Sequence, residues 1–304
     1  MSSSPPEFVV RPPTLDDVPA VHMLVTTSAK HLDCDLEFGP DDLRESWRTL
    51  DLERDAWVWE RDGDVAAYAA VRTFGTNLGA DGHVHPGFVG RGLGAAIVET
   101  TERRAHERGE TKLGNGVFAT DAAARALLES RGYGDVKHFF RMRIEMDGRP
   151  PAPSWPEGLE PRPFEREHAR AFHAADDEAF EDDRGHTTEP FDEFVRRRLD
   201  SPRFDPALWT AVWDGDEIAA TLIAERLAGG GWIGGLGVRR PWRRRGLGLA
   251  LLLRSFGQFF ERGVWRVSLS VDTESPTGAT RLYERAGMRV AWEAVLYEKE
   301  LDVG

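Results

Sequence analysis

The feature that most constrains this chain is that it repeats itself. FVVRP at residues 8–12 is answered by LEPRP at 159–163, and DGD at 62–64 by DGD at 214–216. Further on, GRGLG at 90–94 is answered by RRGLG at 244–248, and ALLESRGY at 126–133 by RLYERAGM at 281–288. The separation drifts from 151 to 155 residues while the order is kept, as short loop insertions would make it do in a duplicated domain. Between the copies, EMDGRPPAPSWPEG carries four prolines and two glycines, which suppress helix and strand alike. The sequence therefore divides into residues 1–146, a linker at 147–158, and residues 159–304. A length of 304 residues agrees, since single cores average about 150 residues.

Each copy carries the same coarse pattern. Thr14 followed by Asp17 is a helix-start signal ahead of Val18, Val21, Leu24 and Val25 at helical spacing. AWVWE and VAAYAAV flank RDGD, a hairpin by its Asp-Gly turn, and LWTAVW and IAATLIA flank DGDE in the same way. A short strand, a glycine-rich turn, a long amphipathic helix, another strand, another helix and a closing strand follow. In the second copy Leu247, Leu251, Leu252, Phe256, Phe259 and Phe260 give that long helix one apolar face. The expected class is mixed α/β, with two tandem domains, each a mixed, mostly antiparallel sheet flanked by helices.

Composition narrows the function. With 39 basic against 52 acidic residues the net charge is −13, which argues against a phosphate-backbone binder. The apolar stretch Leu247 to Leu253 ends at Arg254, short of the roughly 18 to 20 residues a bilayer span needs, so no membrane role is expected. The start MSSSPPEF has no apolar leader pattern, and the cytoplasm is the expected location. One cysteine, Cys34, excludes an internal disulfide or a thiolate zinc cluster, and it reads as a packing residue rather than a nucleophile. His83 and His85 have a spacing seen in metal sites but no further ligands nearby, so they read as loop histidines and no metal is expected.

The segment IGGLGVRRPWRRRGLGLALL at 233–252 runs a strand into a basic glycine turn that opens a helix. First-turn N–H groups have no partners inside a helix, and glycine lets a pyrophosphate reach the backbone without meeting a Cβ. Arg243, Arg244 and Arg245 add positive charge. On its own such a turn also describes an ordinary tight bend with solvated arginines.

Residues 243–248, RRRGLG, resemble the acyl-CoA motif of the GNAT superfamily of N-acyltransferases: Arg or Gln, two residues, Gly, one residue, Gly or Ala. WRVSLSVDTESPTGATRLYERAGM at 265–288 is similar to the family's next strand and the helix with its Leu-Tyr pair followed by Gly-Met or Gly-Phe. The resemblance implies transfer of an acyl group, expected to be acetyl, from acetyl-CoA to a primary amine of a small molecule. It also implies that the backbone of Leu236, Gly237 and Val238 holds the pantetheine arm and polarises the thioester carbonyl. Arg243, Arg244, Arg245, Gly246, Leu247 and Gly248 would hold the pyrophosphate, and Ser275 stands near the place of a cofactor-touching asparagine in many relatives. Tyr283 matches the tyrosine that protonates the departing CoA thiolate. A phenol with a pKa near about 10 is still protonated at neutral pH and can yield its proton as that charge develops.

The base is less evident. Many relatives have a Glu on the strand, but GWIGGLGV at 231–238 has Trp232 and Gly234 there and no carboxylate. Glu225, at the end of the preceding strand, is one candidate. The loop cluster of Glu181, Asp182 and Asp183 with His186 is another, suited to a cationic amine or simply a solvated acidic loop. In the first copy Val89 stands in place of Arg243 and Leu128 in place of Tyr283, so that copy is expected to be catalytically silent. Its turn, Gly90, Arg91, Gly92, Leu93 and Gly94, remains either a second acyl-CoA cradle or a half kept for structure. A tandem with one degenerate copy also resembles the mycothiol synthases, although the missing strand Glu argues against their acceptor. Two further readings stay open: a non-catalytic acyl-CoA-binding sensor, and a transferase for protein amines.

Overall fold

The computed structural model describes residues 5–74, 77–182, 186–275 and 278–301; Asp183 of the acidic loop lies outside them. Two compact units form, Met1–Phe140 with Ala291–Gly304, and Arg141–Val290. The first copy runs β1 (Val9–Arg11), α1 (Val18–His31), α2 (Pro40–Trp47), a single turn α3 (Leu52–Asp55), β2 (Ala56–Arg61), β3 (Asp64–Phe74), β4 (Asn77–Val84), α4 (Leu93–Glu107), β5 (Lys112–Phe118), α5 (Ala122–Ser130) and β6 (Gly134–Glu145). The second runs β7 (Leu159–Pro163), α6 (Ala169–Phe180), a single turn α7 (Phe191–Phe194), β8 (Thr210–Asp214), β9 (Glu217–Leu227), β10 (Gly230–Val238), α8 (Leu247–Glu261), β11 (Arg266–Asp272), α9 (Ala279–Arg285) and β12 (Arg289–Glu300).

Local chemistry explains these elements. The Thr14 N–H donates to the Asp17 carboxylate at 2.7 Å, closing the turn that leads into α1. Asp62 and Gly63 both have positive φ, 55° and 89°, the backbone a two-residue hairpin turn needs, and Arg61 pairs with Asp64 beside them. Along β3 the side chains alternate between two layers. Tyr68 and Ala70 pack with Val21, Leu24 and Val25 of α1 and Trp47 of α2, whereas Ala67 and Ala69 pack with Leu93, Ala96 and Ile97 of α4.

In the first unit β1 to β4 are antiparallel neighbours in sequence order, and β4 then pairs with β5 in parallel. The other edge of β5 is taken by the last strand of the chain: Ala294 to Glu300 of β12 run antiparallel to Phe118 to Lys112. In the second unit β7 to β10 repeat the antiparallel run and β10 pairs with β11 in parallel. The tail of β6 belongs here: Glu145 pairs with Arg266 at 2.8 Å, and the Met146 N–H donates to the Trp265 carbonyl at 2.7 Å. The repeats thus exchange their closing strands, and the compact units do not follow the division at 146 and 159 that the sequence suggests.

The duplication is visible in single contacts. His22 Nε2 lies 3.0 Å from the Phe38 carbonyl in the first copy, and His173 Nε2 lies 2.8 Å from the Glu189 carbonyl in the second, each across 16 residues. The reading of His83 as a loop histidine is corrected, because it sits on β4 opposite Tyr68. His85 does lie just past that strand, where its Nδ1 accepts from the Gly87 N–H at 3.1 Å. Cys34 is buried, and burial pushes its thiol pKa up, which disfavours the reactive thiolate. Among the described residues no helix is long and apolar enough to cross a membrane.

Candidate active site

Both glycine turns have the same backbone. Gly92 and Gly246 precede their helices with φ of 83° and 90°, and two residues earlier Gly90 (81°) and Arg244 (62°) are also left-handed. A side chain in that region costs about 1–2 kcal/mol, so the second copy keeps the turn's shape against a local penalty. The third glycine of each turn serves packing. A Cβ on Gly248 would lie 2.7 Å from Leu282 Cδ2, and one on Gly94 3.1 Å from Leu127 Cδ2. The first helical hydrogen bond of α8 is from the Ala250 N–H to the Gly246 carbonyl, which leaves the N–H groups of Leu247, Gly248 and Leu249 without helical partners. Arg244 and Arg245 are exposed beside them and make no ion pair among the described residues.

Arg243 is placed differently. Its Nε donates to the Val238 carbonyl at 2.9 Å and its two terminal nitrogens to the Ala179 carbonyl at 3.0 Å and to Asp182 at 2.5 Å. Asp182 is clamped by Arg240 as well as Arg243, and hydrogen bonds from both hold its carboxyl far below the ordinary range. His186 Nε2 lies 3.0 Å from Asp177 Oδ1. Among the described residues of the acidic loop, Asp182 and His186 are therefore engaged by protein partners. Glu181 lies 3.9 Å from Arg240.

The strand before the turn opens as the motif requires. Among the described residues, β10 pairs with β11 only at Gly231 with Val267 and Trp232 with Ser268, and from Ile233 to Val238 that edge has no strand partner. On its other edge β10 stays paired with β9, with a bulge between Ile233 and Gly235. Leu236, Gly237 and Val238 thus lie along this open edge, where the Val238 carbonyl is already taken by Arg243. Ser275 lies in the turn after β11, its N–H bonded to the Asp272 carbonyl at 3.2 Å. Tyr283 is the buried residue of α9, 8% exposed, and Leu128 is buried at the equivalent place on α5.

One residue that the sequence did not suggest stands at the bulge. Asp176, on the inner face of α6, accepts a 2.7 Å hydrogen bond from Thr221 Oγ1, and its Oδ1 is 3.9 Å from where a Gly235 Cβ would be. Burial raises its carboxyl pKa, opposed by Thr221 and by the charges of Arg198 and His173. Arg198 and Trp232 each come within 3.5 Å of the Cβ position of Gly234. Asp176, Arg198 and Trp232 therefore converge on Gly234 and Gly235. Glu225 lies further back, opposite Trp232, where β10 is still paired on both edges.

The first unit contains a cavity of about 910 Å³. Gly90, Gly92, Leu93 and Gly94 line one part of it, and Tyr68, Arg72, Asp81 and His83 another. Arg91 instead reaches Glu7 at 3.4 Å.

A parallel strand pair splayed beside a glycine turn, present twice, defines a tandem acyltransferase. The family described as Acetyltransferase (GNAT) matches residues 25–133 and again 153–288, and the chain belongs to it. It is an acyl-CoA-dependent N-acetyltransferase. Curated relatives include the mycothiol acetyltransferases of Thermobispora bispora, 34% identical over 236 residues covering 71% of this chain and 74% of the relative, and of Geodermatophilus obscurus, 30% identical over 255 residues covering 77% and 78%. Among solved structures, a GCN5-related N-acetyltransferase from Sphaerobacter thermophilus superposes with a TM-score of 0.89 at 37% identity, covering 99% of this chain and 98% of that one. A tandem GNAT protein from the clavulanic acid biosynthesis pathway shares the fold, with a TM-score of 0.75 at 18% identity over 97% and 99%.

Proposed function

We propose that the chain moves an acetyl group from acetyl-CoA to a primary amine of a small molecule, and that the second unit carries the reaction. The observation that supports this reading is the open edge of β10 with a carboxylate at its bulge. An extended pantetheine arm fits that edge as an added strand, meeting Leu236, Gly237 and Val238. Its pyrophosphate fits the first turn of α8, with Arg244 and Arg245 beside it. Asp176 supplies the carboxylate that the strand lacks. It takes a proton from the arriving ammonium; the free amine attacks the thioester carbonyl, the C–S bond breaks, the thiolate takes a proton from Tyr283, and the extra proton on the new amide nitrogen passes to the Tyr283 phenolate and restores the phenol. The raised pKa of Asp176 narrows its gap to an amine near about 10 and eases that first transfer. The relatives named as mycothiol acetyltransferases support a small-molecule acceptor.

Calorimetric titration with acetyl-CoA, paired with thiol release in the presence of primary amines, tests the proposal. Gly246→Asp places a charge where the pyrophosphate would sit and should remove one equivalent of binding. Tyr283→Phe should keep that binding and lose turnover. Unchanged turnover in Tyr283→Phe, or no binding by the wild type, would overturn it.

A further inference from the structure

We infer that the first unit is a second acyl-transfer centre, in which the His83 imidazole accepts the proton of a cationic amine. The geometry repeats the splay of the second unit. Among the described residues β4 pairs with β5 only at Gly79 with Gly114 and Ala80 with Asn115, so from Asp81 onward that edge of β4 is open. A Cβ on Gly82 would lie 2.7 Å from Ile97 Cγ2 of α4, so Gly82 faces that helix. Alternation along the strand turns Asp81 and His83 the other way, toward the side of β3 that carries Tyr68 and Arg72. All four side chains line the cavity that also takes in the glycine turn. One space therefore has a phosphate-binding backbone at one part and a polar floor at another, and about 910 Å³ is within the range of small-molecule sites.

The floor has the chemistry of a proton acceptor. No described residue hydrogen-bonds the ring nitrogens of His83, although the ring is half-buried. Burial lowers its pKa from 6.5, with Asp81 and Asp121 pulling it up and Arg72 pushing it down, so the ring is neutral at pH 7 and able to take a proton. Arg72 is paired with Asp81 at 2.9 Å. The other ionisable groups lining the cavity are Asp42, Asp121 and His31, which leaves carboxylates in excess over the single guanidinium and favours a cationic acceptor. Leu128 removes the phenol, yet the reaction balances without it. His83 takes a proton from R–NH3+; the amine nitrogen bonds to the carbonyl carbon; the C–S bond breaks and the sulfur takes the remaining ammonium proton of the new C–N bond. The products are the amide and CoA thiol, and the imidazolium returns its proton to solvent.

The test uses the full chain carrying Gly246→Asp, which disables the turn of the second unit. It is assayed for thiol release from acetyl-CoA with glucosamine, spermidine and tyramine. The expected result is residual turnover whose kcat/KM falls on the acid side with an apparent pKa below 6.5. Adding His83→Gln should lower that turnover about 10²-fold while acetyl-CoA binding is kept. Should His83→Gln not fold, the acid limb of the Gly246→Asp chain and protection of His83 from diethyl pyrocarbonate by acetyl-CoA carry the test instead. No residual turnover, turnover indifferent to His83→Gln, or a flat acid limb without protection would overturn the inference.

Discussion

Thr221 donates its hydroxyl hydrogen to the Asp176 carboxylate across 2.7 Å, tying the inner face of α6 to β9 beside the bulge of β10. The corresponding helix position in the first copy is Val25, a buried core residue that packs with Tyr68. One copy thus fills this place with hydrocarbon, and the other spends burial on a carboxylate. A half-buried acid whose charged form burial disfavours is costly to a fold, so its place at the open strand is an argument for chemistry.

Replacing Asp176 with Asn should separate stability from activity. A carboxyl whose native pKa is raised above 3.8 favours the protonated fold. Stability is therefore greatest below about 3.8, falls as pH climbs through the native value, and remains reduced at neutral pH. Asn keeps an acceptor for Thr221 and carries no charge. Asp176→Asn should melt higher than wild type at pH 7, with the gap closing near about pH 3, and should lose about 10²-fold in turnover. Thermal melts across pH and thiol-release kinetics check both halves; full activity in the variant would remove the base assignment.

Gly237 holds α6 against β10. A Cβ there would lie 2.7 Å from Ala179 Cβ and 3.1 Å from Thr221 Oγ1, and Ala179 has no rotamer with which to yield. Gly237→Ala should cost about 1–3 kcal/mol in denaturant unfolding. Because the displaced helix carries Asp176, turnover should fall further than the lost stability explains. Wild-type stability would mean that α6 and β10 are not in contact as described.

These two residues mark what the sequence could reveal. Helix faces, hairpins and glycine turns were readable because each rests on a local period or on a dihedral that glycine or asparagine-like residues favour, as at Gly92 and Gly246. Asp176 was readable but easily passed over. It sits four residues after Phe172 and one after Ala175 on the buried stripe of α6, and setting α6 beside α1 aligns it with Val25. An acid on an apolar stripe was the available signal. His83 was hidden because β4, NLGADGHV, contains two glycines and little β-branched character, so neither propensity nor periodicity marks where the short strand before the glycine turn begins and ends. The exchange of β6 and β12 left no trace in the sequence. Two copies of one fold offer equivalent edges, and the strand pattern is the same whichever edge is taken.

Arg243 should prove to be a fastener rather than a phosphate ligand. Its guanidinium reaches two carbonyls and Asp182 from one planar group, which a lysine ammonium cannot reproduce. Arg243→Lys should therefore lower the melting temperature and leave the acetyl-CoA Kd nearly unchanged. Arg245→Ala should do the reverse, weakening binding in a salt-dependent way without altering the melt. If instead Arg243→Lys weakens binding at constant stability, the guanidinium leaves its clamp when acetyl-CoA arrives.

The exchanged strand predicts a pH dependence of its own. His138 on β6 lies with Nδ1 2.5 Å from Glu293 of β12 and Nε2 3.0 Å from Asp135. Hydrogen bonding to Glu293 raises its pKa above 6.5; burial opposes that rise, and Asp135 adds to it. A base with a raised native pKa lends stability that is fully present below about 6.5 and is lost as pH rises through the native value. Wild type should therefore melt above His138→Gln near about pH 6, and the two should converge at alkaline pH. The pair is part-exposed, so the margin should be small and should shrink with added salt. A pH-independent difference between the two melts would mean that His138 is held by shape alone and that its charge does not join β6 to β12.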